Sequence, residues 1–128
     1  MTETTMTTPG NAGWISYSGP DSAKARAFYA DVLGWNIVEM PMQDGSSHPV
    51  VMLPGGPIGG FSSMPEDSGS WTIYITVEDV DAATAKAKAA GAKLTSGPMD
   101  MPGVGRMAHL VDPQGAAFAM ITYESMQG

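Results

Sequence analysis

The sequence has no cysteine in its 128 residues. That absence removes disulfide scaffolds, thiolate nucleophiles and cysteine-ligated zinc in one step. A reducing compartment suits such a chain, and the expected location is cytoplasmic. Basic residues are also scarce. Six Lys and Arg stand against 13 Asp and Glu, for a net charge of −7 and a pI near 4.4. An acidic chain repels phosphate backbones, which argues against nucleic acid and anionic membranes as partners. The Thr-rich opening Met1–Gly10 has neither a basic cluster nor an apolar run. It therefore reads as a flexible tail over 1–10 rather than a signal peptide or anchor, and 125–128 reads as a second tail. No phosphate loop is present: Pro54-Gly55-Gly56-Pro57 and Gly103-Val104-Gly105 do not sit between a strand and a helix, and no Lys follows.

What remains is ordinary globular material. Hydrophobic residues make up 43% and charged residues 15%. A chain of this length buries roughly two-thirds of its unfolded surface and needs no covalent staple. Residues 14–19 alternate as a strand, and Asp21 or Ser22 caps a helix. Ala25, Phe28, Tyr29, Val32 and Leu33 recur at helical spacing, and Gly34 stops that helix. Strands follow near 35–40, 48–53 and 57–63, the last two joined at Leu53-Pro54-Gly55-Gly56. The order then repeats. Trp71, Ile73, Ile75 and Val77 alternate with Thr72, Tyr74 and Thr76 along a strand. Asp79 or Asp81 caps a helix with Val80, Ala83, Ala87 and Ala90 as its apolar stripe, ended by Gly91. A strand starts near Lys93, a Gly/Pro/Met loop covers 96–105, and a hairpin spans 106–123 around Asp112-Pro113-Gln114-Gly115.

Trp14 thus matches Trp71, Tyr17 matches Tyr74 and Gly34 matches Gly91, at an offset of 57 residues. The chain is an internal repeat. The expected fold is α+β: two βαβββ modules, about 11–64 and 70–124, within one domain over 11–124. They form a cupped mixed sheet with the helices on its outer face.

Four segments in this order resemble the vicinal oxygen chelate superfamily, which includes glyoxalase I, the bleomycin-resistance proteins and the extradiol dioxygenases. They are Phe28-Tyr29-Ala30-Asp31-Val32-Leu33-Gly34-Trp35, Val77-Glu78-Asp79-Val80-Asp81-Ala82-Ala83, Gly103-Val104-Gly105-Arg106 and Asp112-Pro113-Gln114-Gly115. The resemblance covers about residues 13–123 and implies a small-molecule cup, often in a homodimer. It also implies a divalent metal held by His, Gln or Glu on the strands. One ligand position lies seven residues before each helix-capping Asp, which here gives Trp14 and Thr72. Another lies seven residues after the Asp of Asp-Pro-X-Gly, which gives Ala119, and the fourth lies near Gly59-Gly60-Phe61. An indole and a methyl group cannot ligate a hard cation, and a lone Thr hydroxyl ligates one poorly. No metal and no other cofactor is expected.

Positions two apart share a face, so Trp14 brings in Ser16, and Thr72 brings in Tyr74. A type I turn with a bulge at Gly115 sets His109 opposite Ala119 and Met107 opposite Ile121. The candidate ligand-binding residues are Trp14, Ser16, His48, Thr72, Tyr74, Met107 and His109. Trp14 either stacks on a planar ligand or plugs the core. His109 is the candidate catalytic residue, as ligand orienter or general base, or else a half-exposed strand histidine. His48 faces the same cavity or is a loop histidine. The first functional reading is a metal-free binder of a small organic molecule. The alternative is a glyoxalase-type lyase or isomerase using His109 as base or a displaced metal site, with His48, His109 and Glu39 or Asp100 as ligands.

Overall fold

The structure, a computed structural model, describes residues 6–42, 45–62 and 66–124. They form β1 (Ala12–Ser18), α1 (Ser22–Leu33), β2 (Asn36–Pro41), β3 (Ser47–Leu53), β4 (Gly56–Phe61), β5 (Ser70–Thr76), α2 (Val80–Ala89), β6 (Lys93–Met101), β7 (Gly105–Val111) and β8 (Ala117–Tyr123). The chain divides into two compact units, the first Trp14–Thr72 and the second the remainder, N-terminal residues included. Each unit has the βαβββ order, so the α+β repeat expected from the sequence is present.

In the first unit β2, β3 and β4 run antiparallel in that order, and β1 joins β4 in parallel with Ile15 beside Gly59. In the second, β6, β7 and β8 are antiparallel neighbours, and β5 joins β8 in parallel with Tyr74 beside Ala119. Each parallel pair is reached by a crossover through the helix and two strands, which is why the helix covers one sheet face.

Both helix starts follow one rule. Asp21 accepts the Lys24 amide at 3.0 Å and Asp79 accepts the Ala82 amide at 3.2 Å, each from an extended N-cap conformation. Gly34 closes α1 in the left-handed region at φ 70°, where a side chain is disfavoured.

Packing follows strand parity. In the first unit Ala25, Val51 and Phe61 are buried, with Tyr17, Tyr29, Trp35, Ile37 and Trp71 against them. In the second, Val80, Ala108, Leu110 and Met120 form the core beneath α2. The apolar stripe expected of α1 is narrower than its sequence suggests. Only Ala25 is buried and Tyr29 packs partly, while Phe28, Val32 and Leu33 are more than half exposed. A helix lying on a sheet buries a narrow stripe, and in α1 that stripe is limited to Ala25 and Tyr29. Ala90, expected in the stripe of α2, is its exposed C-cap.

Two stretches differ from their sequence reading. Most of 96–105, read as a loop, is strand. β6 stays paired with β7 as far as Met101 opposite Gly105, with register shifts on either side of Ser96 absorbing Gly97-Pro98. The N-terminal stretch read as a tail is engaged from Met6 onward. The Gly10 amide donates to the Thr76 carbonyl at 2.8 Å, and the Thr76 amide donates to the Asn11 carbonyl at 2.9 Å. Residues 1–5 and 125–128 lie outside the described residues.

Candidate functional site

The Asp112 turn sets the register of the site. The Asp112 amide donates to the Ala116 carbonyl at 2.8 Å, and the Asp112 Oδ1 accepts from the amides of Gln114 and Ala116, each at 2.9 Å. Those two bonds, Ala116 first, hold the carboxyl below its usual range. β7 and β8 then pair with His109 opposite Ala119 and Met107 opposite Ile121, the register the turn predicts.

Tyr74 on β5, Ala119 on β8 and His109 on β7 therefore stand side by side. Ala119 is fully buried between two larger neighbours, and a methyl there leaves room for them to meet. The Tyr74 hydroxyl lies 2.7 Å from His109 Nε2, with the rings edge to face at 5.4 Å. Burial pushes the Tyr74 hydroxyl up and the His109 imidazole down, so both groups stay neutral near pH 7. Met107, Ile121 and Tyr123 are buried on the same side of the sheet, opposite α2, with Met6, Tyr74 and Val104 packed on them. Tyr123 is pushed up to about 12, by burial and then by the neighbouring Tyr74. Arg106, between these residues along β7, faces the helix side instead. It pairs with Asp81 of α2 at 3.0 Å and with Asp100 at 3.1 Å.

The structure thus brings together three of the sequence candidates, Tyr74, Met107 and His109, in the second unit. Trp14, Ser16, His48 and Thr72 belong to the first. There, Ser16 stands beside Gly60 across β1 and β4, and a Cβ on Gly60 would come within 2.7 Å of His48 Nε2. His48 therefore lies over Gly60, on the face that Ser16 shares. Burial lowers its pKa, partly offset by Glu39. Trp14 is partly exposed and does not join the core cluster of its unit.

Two contributors were missed from sequence. Tyr123 has the parity of Ala119 and Ile121, so the predicted register already put it on this face. Met6 carried no signal, because Thr-rich composition alone made its neighbourhood a tail.

The residues at the family's metal positions do not suit a metal. Ala119 offers a buried methyl and Gly59 and Gly60 offer no side chain. Gly59 is also pressed against Ile15, whose carbonyl oxygen would lie 2.3 Å from an added Cβ. The carboxylates considered for a displaced site are engaged elsewhere. Glu39 takes Arg26 at 2.6 Å and Ser47 at 3.0 Å, and Asp100 takes Arg106. Among the described residues no group of three or more His, Asp or Glu side chains is placed to hold an ion. No helix among them is long and apolar enough to cross a membrane.

Fold, repeat and motif order converge on one class, a two-module α+β protein of the glyoxalase type. The chain belongs to the glyoxalase/bleomycin resistance protein/dioxygenase superfamily, whose family model matches residues 11–120. It is 39% identical over 99 residues to CFP32 of Mycobacterium tuberculosis, provisionally named a glyoxylase, covering 76% of this chain and 38% of that protein. It is 33% identical over 139 residues to the anthracycline biosynthesis protein DnrV of Streptomyces peucetius, covering 94% of this chain and 50% of that one. The chain thus spans half or less of the length of these relatives. Methylmalonyl-CoA epimerases share the fold. That of Streptomyces coelicolor superposes with a TM-score of 0.64 at 16% identity, over 92% of this chain and 97% of its own. That of Mycobacterium tuberculosis gives 0.58 at 17%, over 94% and 91%.

The two histidines set an acid-side stability limit. A depressed folded pKa means the unfolded chain takes up the proton first, so the contribution is complete above the ordinary histidine range. It is lost as pH falls from about 6.5 through the folded values. Glu39 and Asp112, also depressed, add a second loss below the carboxylate range. Melting temperature should therefore fall between pH 7 and 5, and His109→Gln should shrink that step. A flat profile over that interval, unchanged by the substitution, would contradict the burial of these rings.

Proposed function

We propose that this protein binds a small, uncharged organic molecule without a metal, on the helix-free face of the second unit's sheet. Tyr74 and His109 serve as its polar anchors and Met107 as part of its apolar floor. The observation that carries the reading is the 2.7 Å bond between two half-buried, neutral rings on a face otherwise lined by Met and Ile. A flexible thioether beside aromatic hydroxyls suits a flat apolar ligand. A relative named for anthracycline biosynthesis supports polycyclic aromatic compounds as the class. Trp14, Ser16, Thr72 and His48 are the corresponding candidates in the first unit. The reading includes a cytoplasmic homodimer. Two copies would supply about the length of one such relative, of which the chain covers 38% or 50%.

A second reading has one observation in its favour. Burial keeps the His109 imidazole unprotonated near neutral pH, the state a general base needs. In a lyase or isomerase of the glyoxalase type, it would accept a proton from the bound molecule.

The test is a thermal-shift panel of uncharged bicyclic and tricyclic aromatics, followed by calorimetry on His109→Ala. Binding should weaken about tenfold, the value of one or two hydrogen bonds, while melting temperature changes little. A chelator should alter neither quantity. Unchanged affinity in a variant that has lost its stability would place His109 in the framework and end the proposal.

A further inference from the structure

Among the described residues, two polar atoms on the ligand-side face of the second unit have no protein partner, His109 Nδ1 and the Tyr123 hydroxyl. Both are closed off from solvent, and Tyr123 as a whole is 6% exposed. Buried polar groups without partners are costly and few, so a pair of them in one neighbourhood calls for an explanation. They do share a neighbourhood. Tyr123 packs in the cluster that includes Tyr74, and Tyr74 is bonded to the other ring nitrogen of His109.

The protons can be placed by counting. If Tyr74 donates to Nε2, the imidazole proton sits on Nδ1 and one donor lacks a partner. If Nε2 donates to Tyr74 instead, both the Tyr74 proton and the Nδ1 lone pair lack one. The first arrangement leaves fewer groups unmet. The face therefore presents two donors, the Nδ1–H of His109 and the O–H of Tyr123.

Charge narrows what those donors take. Both are neutral, and the rest of the cluster is Met6, Val104, Met107 and Ile121. Arg106 is committed on the opposite face to Asp81 and Asp100. A carboxylate or phosphate buried here would have no counter-charge, and an uncompensated buried charge is far more costly than a neutral acceptor. A ketone, quinone, ester or amide oxygen on an apolar body accepts from a neutral donor here without needing a counter-charge, and its body suits the Met and Ile frame.

Met6 lies over this cluster. Its carbonyl accepts from the Thr76 hydroxyl, and Gly13 permits the close approach, since a Cβ there would lie 2.6 Å from Met6 Cα. The backbone is pinned, but the side chain is a flexible thioether that can swing aside.

We infer that Tyr123 is a specificity-determining residue. Its hydroxyl and the Nδ1–H of His109 select an uncharged, carbonyl-bearing ligand whose apolar body takes the place of the Met6 side chain. This deepens the ligand site proposed above and rests on it.

The experiment is calorimetry of the 128-residue chain with three matched probes: 2-acetylnaphthalene, 2-ethylnaphthalene and 2-naphthoate. The acetyl compound should bind about tenfold more tightly than the ethyl compound, and the carboxylate weakest of the three. Tyr123→Phe should cut the acetyl advantage severalfold and leave the ethyl affinity unchanged. Its melting temperature should hold or rise, because an unmet hydroxyl has gone. Met6→Ala should strengthen both neutral probes. Equal acetyl and ethyl affinities, a ratio untouched by Tyr123→Phe, tightest binding of the carboxylate, or Met6→Ala leaving both neutral probes unchanged or weakened would each overturn the inference. If neutral probes bind and His109→Ala weakens them with no acetyl preference, the inference falls alone. If no probe binds, the proposed function falls and takes it along.

Discussion

Phe61→Ala should cost roughly 3–5 kcal/mol, the range for emptying a fully buried aromatic site. Phe61 has no exposed surface. Its ring lies 5.6 Å from Tyr17, 5.9 Å from Trp71 and 6.3 Å from Tyr29, in edge-on or tilted contacts. Those three rings also touch one another, and the Trp71 indole N–H donates to the Tyr29 hydroxyl at 3.2 Å. Rings locked in this way cannot collapse into the space, so the cavity persists and its cost is not relieved. Thermal unfolding should drop by roughly 10–20 °C. Phe28→Ala is the matched control, the same residue type at 57% exposure, and should move the midpoint by a few degrees at most. Similar losses for the two would contradict the assignment of buried and flanking positions around α1.

Gly105→Ala should be nearly as damaging through a different cause. A Cβ at Gly105 would lie 2.2 Å from the Thr122 carbonyl oxygen and 2.8 Å from Tyr123 Cα. Both obstacles are backbone, so no side-chain rotation relieves them. β7 and β8 would have to part where Gly105 pairs with Tyr123. A loss of about 3 kcal/mol or more is expected, the upper end for overpacking a packed interior. The shift should reach the site as well, since Tyr123 moves with its strand. Gly55→Ala, where the added methyl meets nothing within 4 Å, should be close to neutral. Denaturant unfolding of the two variants checks this, and a tolerated Gly105→Ala would show that the strands can separate without penalty.

The contrast between those two glycines shows what a sequence discloses. Both sit in Gly/Pro-rich stretches and look alike as letters, because the obstacle at Gly105 comes from β8, well removed along the chain. Local signals were read well. The Asp caps, the Gly34 stop and the Asp112 turn depend on contacts within four residues, and the turn alone fixed His109 against Ala119. Strand parity then put Tyr74 and His109 on one face, beside Ala119. What failed was non-local. Gly97-Pro98 looks like a strand breaker until β7 is there to hold β6 on either side of it. Phe28, Val32 and Leu33 look like core by their helical spacing, yet α1 packs only Ala25 and Tyr29 against the sheet. Met6 packs on this face through Thr76 and Gly13, neither of which marks it in the sequence.

The helix-free face of the second unit, above His109 and Tyr74, should receive an uncharged ligand. Methyl-labelled methionine makes that face visible, because Met6 and Met107 flank it while Met120 lies beneath α2 on the opposite face and Met40 stands on β2 of the first unit. Titration with 2-acetylnaphthalene, followed by carbon–proton correlation spectra, should shift the Met6 and Met107 methyl signals together and leave the other two in place. Movement of Met40 or Met120 with Met6 and Met107 unmoved would contradict this placement.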